Sequence, residues 1–586
     1  MNLKHSMKKV LLSTLITSGV FIAAISSGHS AGFLDDLEMA NRKVEDADKA
    51  EREPSFAGSF LSALSAGANG DDPAAIDNYR NAITFDPENV NMKQSLFMAL
   101  TADGRIADAI ELLKTIPPEE QTQNVIHVVT AANALKQKSW SRVQTSMDKV
   151  SGSDLDNMVT SIVAAWGLFG ERKLPEALER VATITGPEWV MMIKEYHLGL
   201  LNAAGAKDAD AVVHFTKAVE MRRVAGALSE TYMRAVEGLA RAQAKVGDME
   251  SASQTVDTGL DLLNNHPPLV NFKEELTEAQ KKTPLVKTAQ QGGAEIFFNV
   301  GSAISRQGGL PFAQGHLQLA RFLAPQNDVV LLALANTYSD QKKYERANEL
   351  YRNIEESSGY YRRAQVETGL NLNRMDQVPM AEEILSKMVA EDPKDVVTAL
   401  SLGSVYGQHE QFEKAAALYD SVIKQIGAPQ ERDWILLYRR GIANERLKKW
   451  PLAEADFKKA LELAPDQPDV LNYLGYSWID QGINLEEGLD MVKKAVELRP
   501  NSGFIIDSLG WAYYRLGRYE DAVTELLRAV ELMPSDPVVN DHLGDAFWKT
   551  DRKLEAVFQW KHALSNDPND EDKANIEKKL QTGLTH

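Results

Sequence analysis

The residues of this chain best suited to chemistry are aromatic, amide and guanidinium groups that recur in one register. Tyr438, Asn472, Tyr476, Phe504, Trp511, Tyr514, Arg515, Trp548 and Lys549 fall in its C-terminal part, with Asn336 and Asn373 upstream. Side chains of this kind do non-covalent work. Tyr, Trp and Arg are enriched in binding hot spots, and an Asn amide offers an extended peptide backbone both a donor and an acceptor. Covalent chemistry finds no comparable grouping. There is no Cys, which removes thiolate nucleophiles, thiolate metal sites, disulfides and lipid attachment through Cys. The 11 His are scattered, and no pair has the i, i+4 spacing around a Glu that a zinc helix uses. Nucleophile-elbow and phosphate-loop patterns are missing. Gly292-Gly293 and Gly308-Gly309 read as turns, and Glu382-Glu383 and Glu486-Glu487 as solvated helix faces. The expectation is a chain with no catalytic residues, no metal ligands and no cofactor.

What positions the stripe is a period of 34 residues. Between Gly503 and Pro534 the unit holds Leu509-Gly510, Tyr513, Gly517, Tyr519, Ala522, Leu526, Ala529 and Pro534. One period later come Leu543-Gly544, Phe547, Ala556, Trp560, Ala563 and Pro568. Small residues at positions 8, 20 and 27 let two antiparallel helices approach, and bulky ones at 4, 7, 11, 17 and 24 fill the space between them. Pro at position 32 ends the second helix, because it lacks an N–H and clashes with the preceding turn. Gly517 closes the first helix by adopting a left-handed conformation cheaply. Neither helix can bury its apolar face alone, so stacking of units supplies the core. Phased in this way, units start at 56, 90, 124, 158, 192 and near 233, then at 294, 328, 362, 396, 434, 468, 503 and 537. Positions 2, 5, 9, 12 and 13 of the first helix of each unit avoid that core and carry the stripe, with Asp340, Arg374, Glu445, Arg446, Asp507 and Asp541 beside it.

This pattern resembles the tetratricopeptide repeat over about 56–568, most strongly from 294 onward. The resemblance implies an all-α solenoid of helical hairpins, wound as a right-handed superhelix of about 14 repeats in two blocks. A narrower likeness lies in Leu471-Asn472-Tyr473-Leu474-Gly475-Tyr476-Ser477, in Asp507-Ser508-Leu509-Gly510-Trp511-Ala512-Tyr513-Tyr514 and in Asp541-His542-Leu543-Gly544-Asp545-Ala546-Phe547-Trp548. These segments resemble the C-terminal repeats of large envelope tetratricopeptide proteins of Gram-negative bacteria. Some of those are adaptors that bring substrates to periplasmic carboxyl-terminal processing proteases. Such adaptors are typically lipoproteins with a Cys after the signal, which this chain lacks. The family's clamp for C-terminal carboxylates, built from paired Lys, Asn and Arg, is not reproduced in any consecutive pair of units.

The 586 residues are 44% apolar and 25% charged, a globular composition. A net charge of -19 removes the basic footprint that nucleic acid requires. Lys4, Lys8 and Lys9, the apolar run Val10 to Ile25 and small residues from Ser26 to Ala31 read as a secretory signal cleaved between Gly28 and Ala31. The run is short for a spanning helix. The expected destination is the periplasm, with an uncleaved inner-membrane anchor as the alternative. The expected organisation is a signal (1–31), a charged leader (32–55), a degenerate repeat block (56–265), a Pro-containing linker (266–293), a C-terminal block (294–568) and a capping helix with tail (569–586). The expected function is a non-catalytic protein–protein interaction adaptor or scaffold of the bacterial cell envelope. Its partner would be a peptide or protein, an envelope protease or assembly complex among them, with no nucleic acid, small-molecule substrate or lipid anchor. The alternative is an architectural component of a secretion, polysaccharide-export or cell-wall assembly machine.

Overall fold

The computed structural model describes residues 55–584, except 122, 264–266, 275, 277–283 and 307–308. The expected signal and nearly all of the leader therefore lie outside the described residues. Within them are thirty α-helices and no strand. The chain divides into two compact units, one ending at Ile126 and the other starting at His127.

The first unit contains α1 (Phe56–Ala68), α2 (Asp72–Phe85), α3 (Val90–Asp103) and α4 (Ile106–Leu112). Side-chain caps start three of them. Ser55 Oγ, Asp71 Oδ1 and Asn89 Oδ1 accept from the N–H of Gly58, Ala74 and Met92, each satisfying a donor the helix cannot.

The second unit runs from α5 (Asn124–Lys136, minus its first turn) onward. It continues with α6 (Trp140–Met147), α7 (Asp154–Gly170), α8 (Leu174–Ala182), α9 (Glu188–Ala204), α10 (Asp208–Glu220), α11 (Ser229–Lys245) and α12 (Met249–Leu262). A single helix, α13 (Pro267–Glu274), follows. Then come α14 (Ala289–Arg306), α15 (Leu310–Leu323), α16 (Asp328–Asp340), α17 (Tyr344–Tyr351), α18 (Tyr361–Arg374), α19 (Val378–Glu391), α20 (Val396–Gln408) and α21 (Phe412–Ile426). The last are α22 (Trp434–Arg446), α23 (Trp450–Leu463), α24 (Pro468–Asp480), α25 (Leu485–Leu498), α26 (Gly503–Arg515), α27 (Tyr519–Leu532), α28 (Pro537–Lys549), α29 (Lys553–Ser565) and α30 (Asp570–Thr582). Apart from α13 and α30, the helices form fourteen consecutive hairpins, each with a first (A) and a second (B) helix. No described helix is long and apolar enough to cross a membrane.

The turn inside each hairpin shows why the period holds. Position 15 of the expected register is left-handed in thirteen of the fourteen units, and the remaining one, 308, lies outside the described residues. Five of these residues are Gly (70, 104, 247, 482 and 517), but eight are not: Lys138, Arg172, Ala206, Lys342, Asp376, Glu410, Lys448 and Asp551. The left-handed region is costly for a residue with a Cβ. These side chains therefore tolerate strain because the packed helices on either side dictate the turn.

Packing within hairpins follows a second rule. In seven of the eight units with Gly at position 8, an added Cβ would first meet the side chain at position 24 of the same hairpin. The pairs include Gly199 with Phe215, Gly441 with Phe457 and Gly544 with Trp560. Gly510 would meet Leu526 Cγ at 2.5 Å. Leu526 is fully buried and has nowhere to retreat. Gly510→Leu should thus overpack the hairpin and lower stability by about 1–3 kcal/mol or more. A urea melt in which this variant matches wild type would refute that packing rule.

One helix departs from nearest-neighbour stacking. α14 begins five residues before its expected start, capped by Thr288 Oγ1 accepting from Gln291 N at 3.2 Å. Its first turns pack on α7, three hairpins earlier in the chain. Gly292 lies on the Trp166 ring, and Gly293 against Leu135 of α5. Gly292-Gly293 is therefore helical, which corrects the turn expected from sequence. Two Gly residues in a row break helices in isolation, but here the missing side chains let α14 reach an indole face.

Candidate partner-binding groove

The A helices α24, α26 and α28 bring much of the expected stripe together. On α26, Trp511 stacks on Tyr514 (centroids 4.7 Å apart, planes at 12°) and on His542 of α28 (4.1 Å, 20°). His542 Nδ1 lies 3.0 and 3.1 Å from the two carboxylate oxygens of Asp507. Burial disfavours charge on this imidazole, but Asp507, with help from Asp541 and Asp545, outweighs it and raises the pKa above the usual histidine range. Arg515 Nη1 and Nη2 donate to the carboxylate and the backbone carbonyl of Asp480 at 2.5 and 2.9 Å, on the exposed side of the stack. Burial and nearby carboxylates keep the phenols neutral. Tyr476 is pushed up to about 12, and Tyr514 is raised by burial and Asp545. Phe504 projects from the same helix, 66% exposed.

The far end of the groove is covered by α30. Lys579 Nζ bridges Asp541 Oδ2 (2.7 Å) and Asp545 Oδ2 (2.8 Å), while Trp560 Nε1 donates to Asp545 Oδ1 at 2.9 Å. Burial, then Asp541, raise the Asp545 pKa to about 6 against the opposing pull of Lys579. Trp548 packs on Trp560 (5.3 Å) with Lys553 Nζ 4.1 Å above its ring, and Gly583 of the tail passes directly over it. Trp548 is therefore half-buried under the chain's own C-terminus, beside Lys549.

The other expected site residues are spread out. Tyr438 packs among Trp434, Phe457 and Tyr473, 6.0–6.1 Å away, and its pKa is pushed up to about 12 by burial. It serves the core between hairpins. Asn472 is half-buried with its Oδ1 lacking a hydrogen bond. Asn373 spans two units, donating to Gln408 (2.7 Å) and contacting His409 (2.8 Å). Asn336 accepts from Tyr351 at 2.6 Å. Among the described residues, no group of three or more His, Asp or Glu could hold a metal ion. Sequence reasoning missed His542, Asp545 and Lys579. The signal for His542 was present: a His at position 6 faces an Asp at position 5 of the preceding unit, 35 residues earlier.

The matching face of α7, α9 and α11 is already taken by α14. Arg234 donates from Nε to Glu295 Oε2 at 3.0 Å and from Nη2 to Oε1, and Tyr196 donates to Oε2 at 2.9 Å. One helical turn on, Asn299 Oδ1 lies 3.0 Å from His197 Nε2, and its Nδ2 donates to Thr231 Oγ1 at 3.0 Å. Trp166 Nε1 donates to His197 Nδ1 at 3.1 Å. All seven residues are buried.

A tetratricopeptide repeat model matches residues 400–502, and a TPR repeat model matches 510–551. The chain carries tetratricopeptide repeats. A curated TPR repeat-containing protein of Pseudomonas aeruginosa is 29% identical over 159 residues, 27% of this chain and 26% of that protein. The match thus spans about a quarter of the relative's length. Solved structures that align with the chain include a tetratricopeptide repeat protein from Parabacteroides merdae (17% identity, 44% of this chain and 98% of that one, TM-score 0.36). Yeast Tom70 also aligns (12% identity, 73% and 95%, TM-score 0.37). Tetratricopeptide repeats generally mediate protein–protein interaction by stacking hairpins into an extended binding surface.

Proposed function

We propose that this tetratricopeptide array is a non-catalytic adaptor or scaffold of the bacterial cell envelope, delivered to the periplasm by the 1–31 signal. It grips an extended peptide or protein partner on the A-helix face of α24, α26 and α28, with an envelope protease or assembly complex as the partner type. The observation that carries this reading is the partly buried Trp511–Tyr514–His542 stack, with Arg515, Asp480 and the exposed Phe504 on the same helices. Rigid aromatic and guanidinium groups of this kind concentrate binding energy. The matching face of α7, α9 and α11 is filled by α14, so the partner uses the C-terminal hairpins. A second reading, assembly into a larger envelope machine, draws on Leu554 (88% exposed) and Phe558 (67% exposed), one turn apart on α29.

The test is affinity purification of the tagged chain from its own envelope extract, beside a Trp511→Ala/Tyr514→Ala/Arg515→Ala variant checked for folding by circular dichroism. Each truncated hot-spot residue costs about 2 kcal/mol or more, so partner recovery should fall at least tenfold. Equal recovery by the folded variant would sink the groove assignment. Equal recovery combined with loss in Leu554→Ser/Phe558→Ser would transfer the function to α29.

A further inference from the structure

A cavity of about 220 Å³ opens among the A helices α11, α14, α16 and α18 and the B helix α15, away from the C-terminal groove. It exists because α14 sits inside the array, so four A helices converge where ordinary stacking brings two or three. Its floor is apolar: Phe298, Leu317, Val329 and Leu332. A closed apolar space of 150 Å³ already holds benzene, so this one has room for a leucine-sized or phenylalanine-sized group.

The rim supplies the chemistry. Arg363 Nη1 stands 4.0 Å from Glu230 Oε1, a loose pair. Asp340, at the mouth, makes no hydrogen bond or ion pair among the described residues. The protein packed behind it raises its pKa above the usual carboxylate range, while the attraction of Arg374 works the other way. Arg374 directs Nη1 to Asn371 at 2.9 Å and to Ser339 at 3.4 Å, so it acts on Asp340 only through its charge. Asn336, one turn before Asp340, uses its carbonyl oxygen on Tyr351 and keeps its amide N–H groups for the cavity. Among the described residues, the lining therefore carries the Asp340 carboxylate and the Asn336 amide above an apolar floor. A partly desolvated carboxylate without a partner favours a cation.

We infer that this cavity is a binding site for an apolar side chain with a cationic nitrogen next to it. The apolar group fills the floor, the ammonium or guanidinium meets Asp340, and a carbonyl oxygen of the ligand accepts from Asn336. Two sources share that chemistry: a free hydrophobic amine, or an apolar-basic step within a polypeptide. The site is independent of the Trp511 groove, so failure of either assignment leaves the other standing.

Titration calorimetry on the full chain tests it with leucinamide, N-acetylleucine and the capped peptide acetyl-Ser-Leu-Lys-Ser-amide. Leucinamide should bind at least tenfold more tightly than N-acetylleucine, and Asp340→Asn should weaken it at least fivefold. Ala333→Leu, which fills the floor from a helix position that accepts leucine, should abolish binding. A capped peptide tighter than leucinamide would identify a polypeptide source, and the reverse order a free amine. Equal binding of the two leucine derivatives, no binding of either cationic probe, or binding unaffected by both variants would each overturn the assignment.

Discussion

Replacing Arg234 with Met will destabilise the docking of α14 by about 3–5 kcal/mol, the usual penalty for leaving one half of a buried ion pair without its partner. Arg234 and Glu295 are 8% and 2% exposed at their side chains. The Glu295 carboxylate also accepts from Tyr196, so it would keep a single neutral donor in a dry site. The guanidinium and the carboxylate of the pair come from different helices, α11 and α14, so the loss falls on the contact between them. Hydrogen exchange in α14 reads it directly, because a solenoid opens locally before it unfolds globally. Protection there should drop by about two to four powers of ten. A triple variant, Arg234→Met with Glu295→Leu and Tyr196→Phe, removes all three polar groups together. It should recover most of the loss, since an apolar replacement of a buried ion pair is often neutral or stabilising. If the single variant protects α14 as well as wild type does, the pair is not what holds the helix.

Acid will release the same helix through His197. Burial pushes its pKa down to about 3, although the bond to Asn299 works the other way. The indole N–H of Trp166 can only donate, so Nδ1 accepts, and Nε2 carries the proton given to Asn299. Protonation would set a second N–H against the indole N–H. The folded state thus resists a proton that the unfolded chain takes up near the ordinary histidine value of about 6.5. The stabilisation is complete above that pH and is lost as pH falls toward 3, at up to about 1.4 kcal/mol per unit. His316 and His127, also lowered by burial, act in the same direction, and His542 in the opposite one. The comparison must therefore be made against His197→Gln, between pH 6.5 and 4.5, above the range where most carboxylates titrate. The wild-type melting profile should fall more steeply than that of the variant. Parallel profiles would show that His197 does not carry the acid sensitivity.

How far the sequence reached depends on the range of the interaction. Gly510 against Leu526 and Gly544 against Trp560 are contacts within one hairpin, repeated every 34 residues, and a period exposes them. The turn at position 15 was legible at Gly517 but hidden at Lys448 and Ala206, because flanking helices impose a left-handed turn on residues with no preference for it. The stripe was legible as a set of residue types. Whether each member faces solvent was not. Tyr438 stands between aromatics of neighbouring helices, Trp548 lies beneath Gly583, and Trp511 gives its faces to Tyr514 and His542.

By itself, then, the sequence determined the hairpin, its length, its small-residue interfaces and the order of fourteen units with a helix to close them. These follow from packing between residues at most one period apart. The tertiary structure alone decided that α14 would lie against α7, α9 and α11. That contact joins Trp166 to Gly292 and His197 to Asn299, residues more than a hundred positions apart. In a solenoid the small rotation from unit to unit sets which distant helices can meet. No repeat encodes the sum of these rotations, and it is what fills the face of α7, α9 and α11 and opens a cavity beside it.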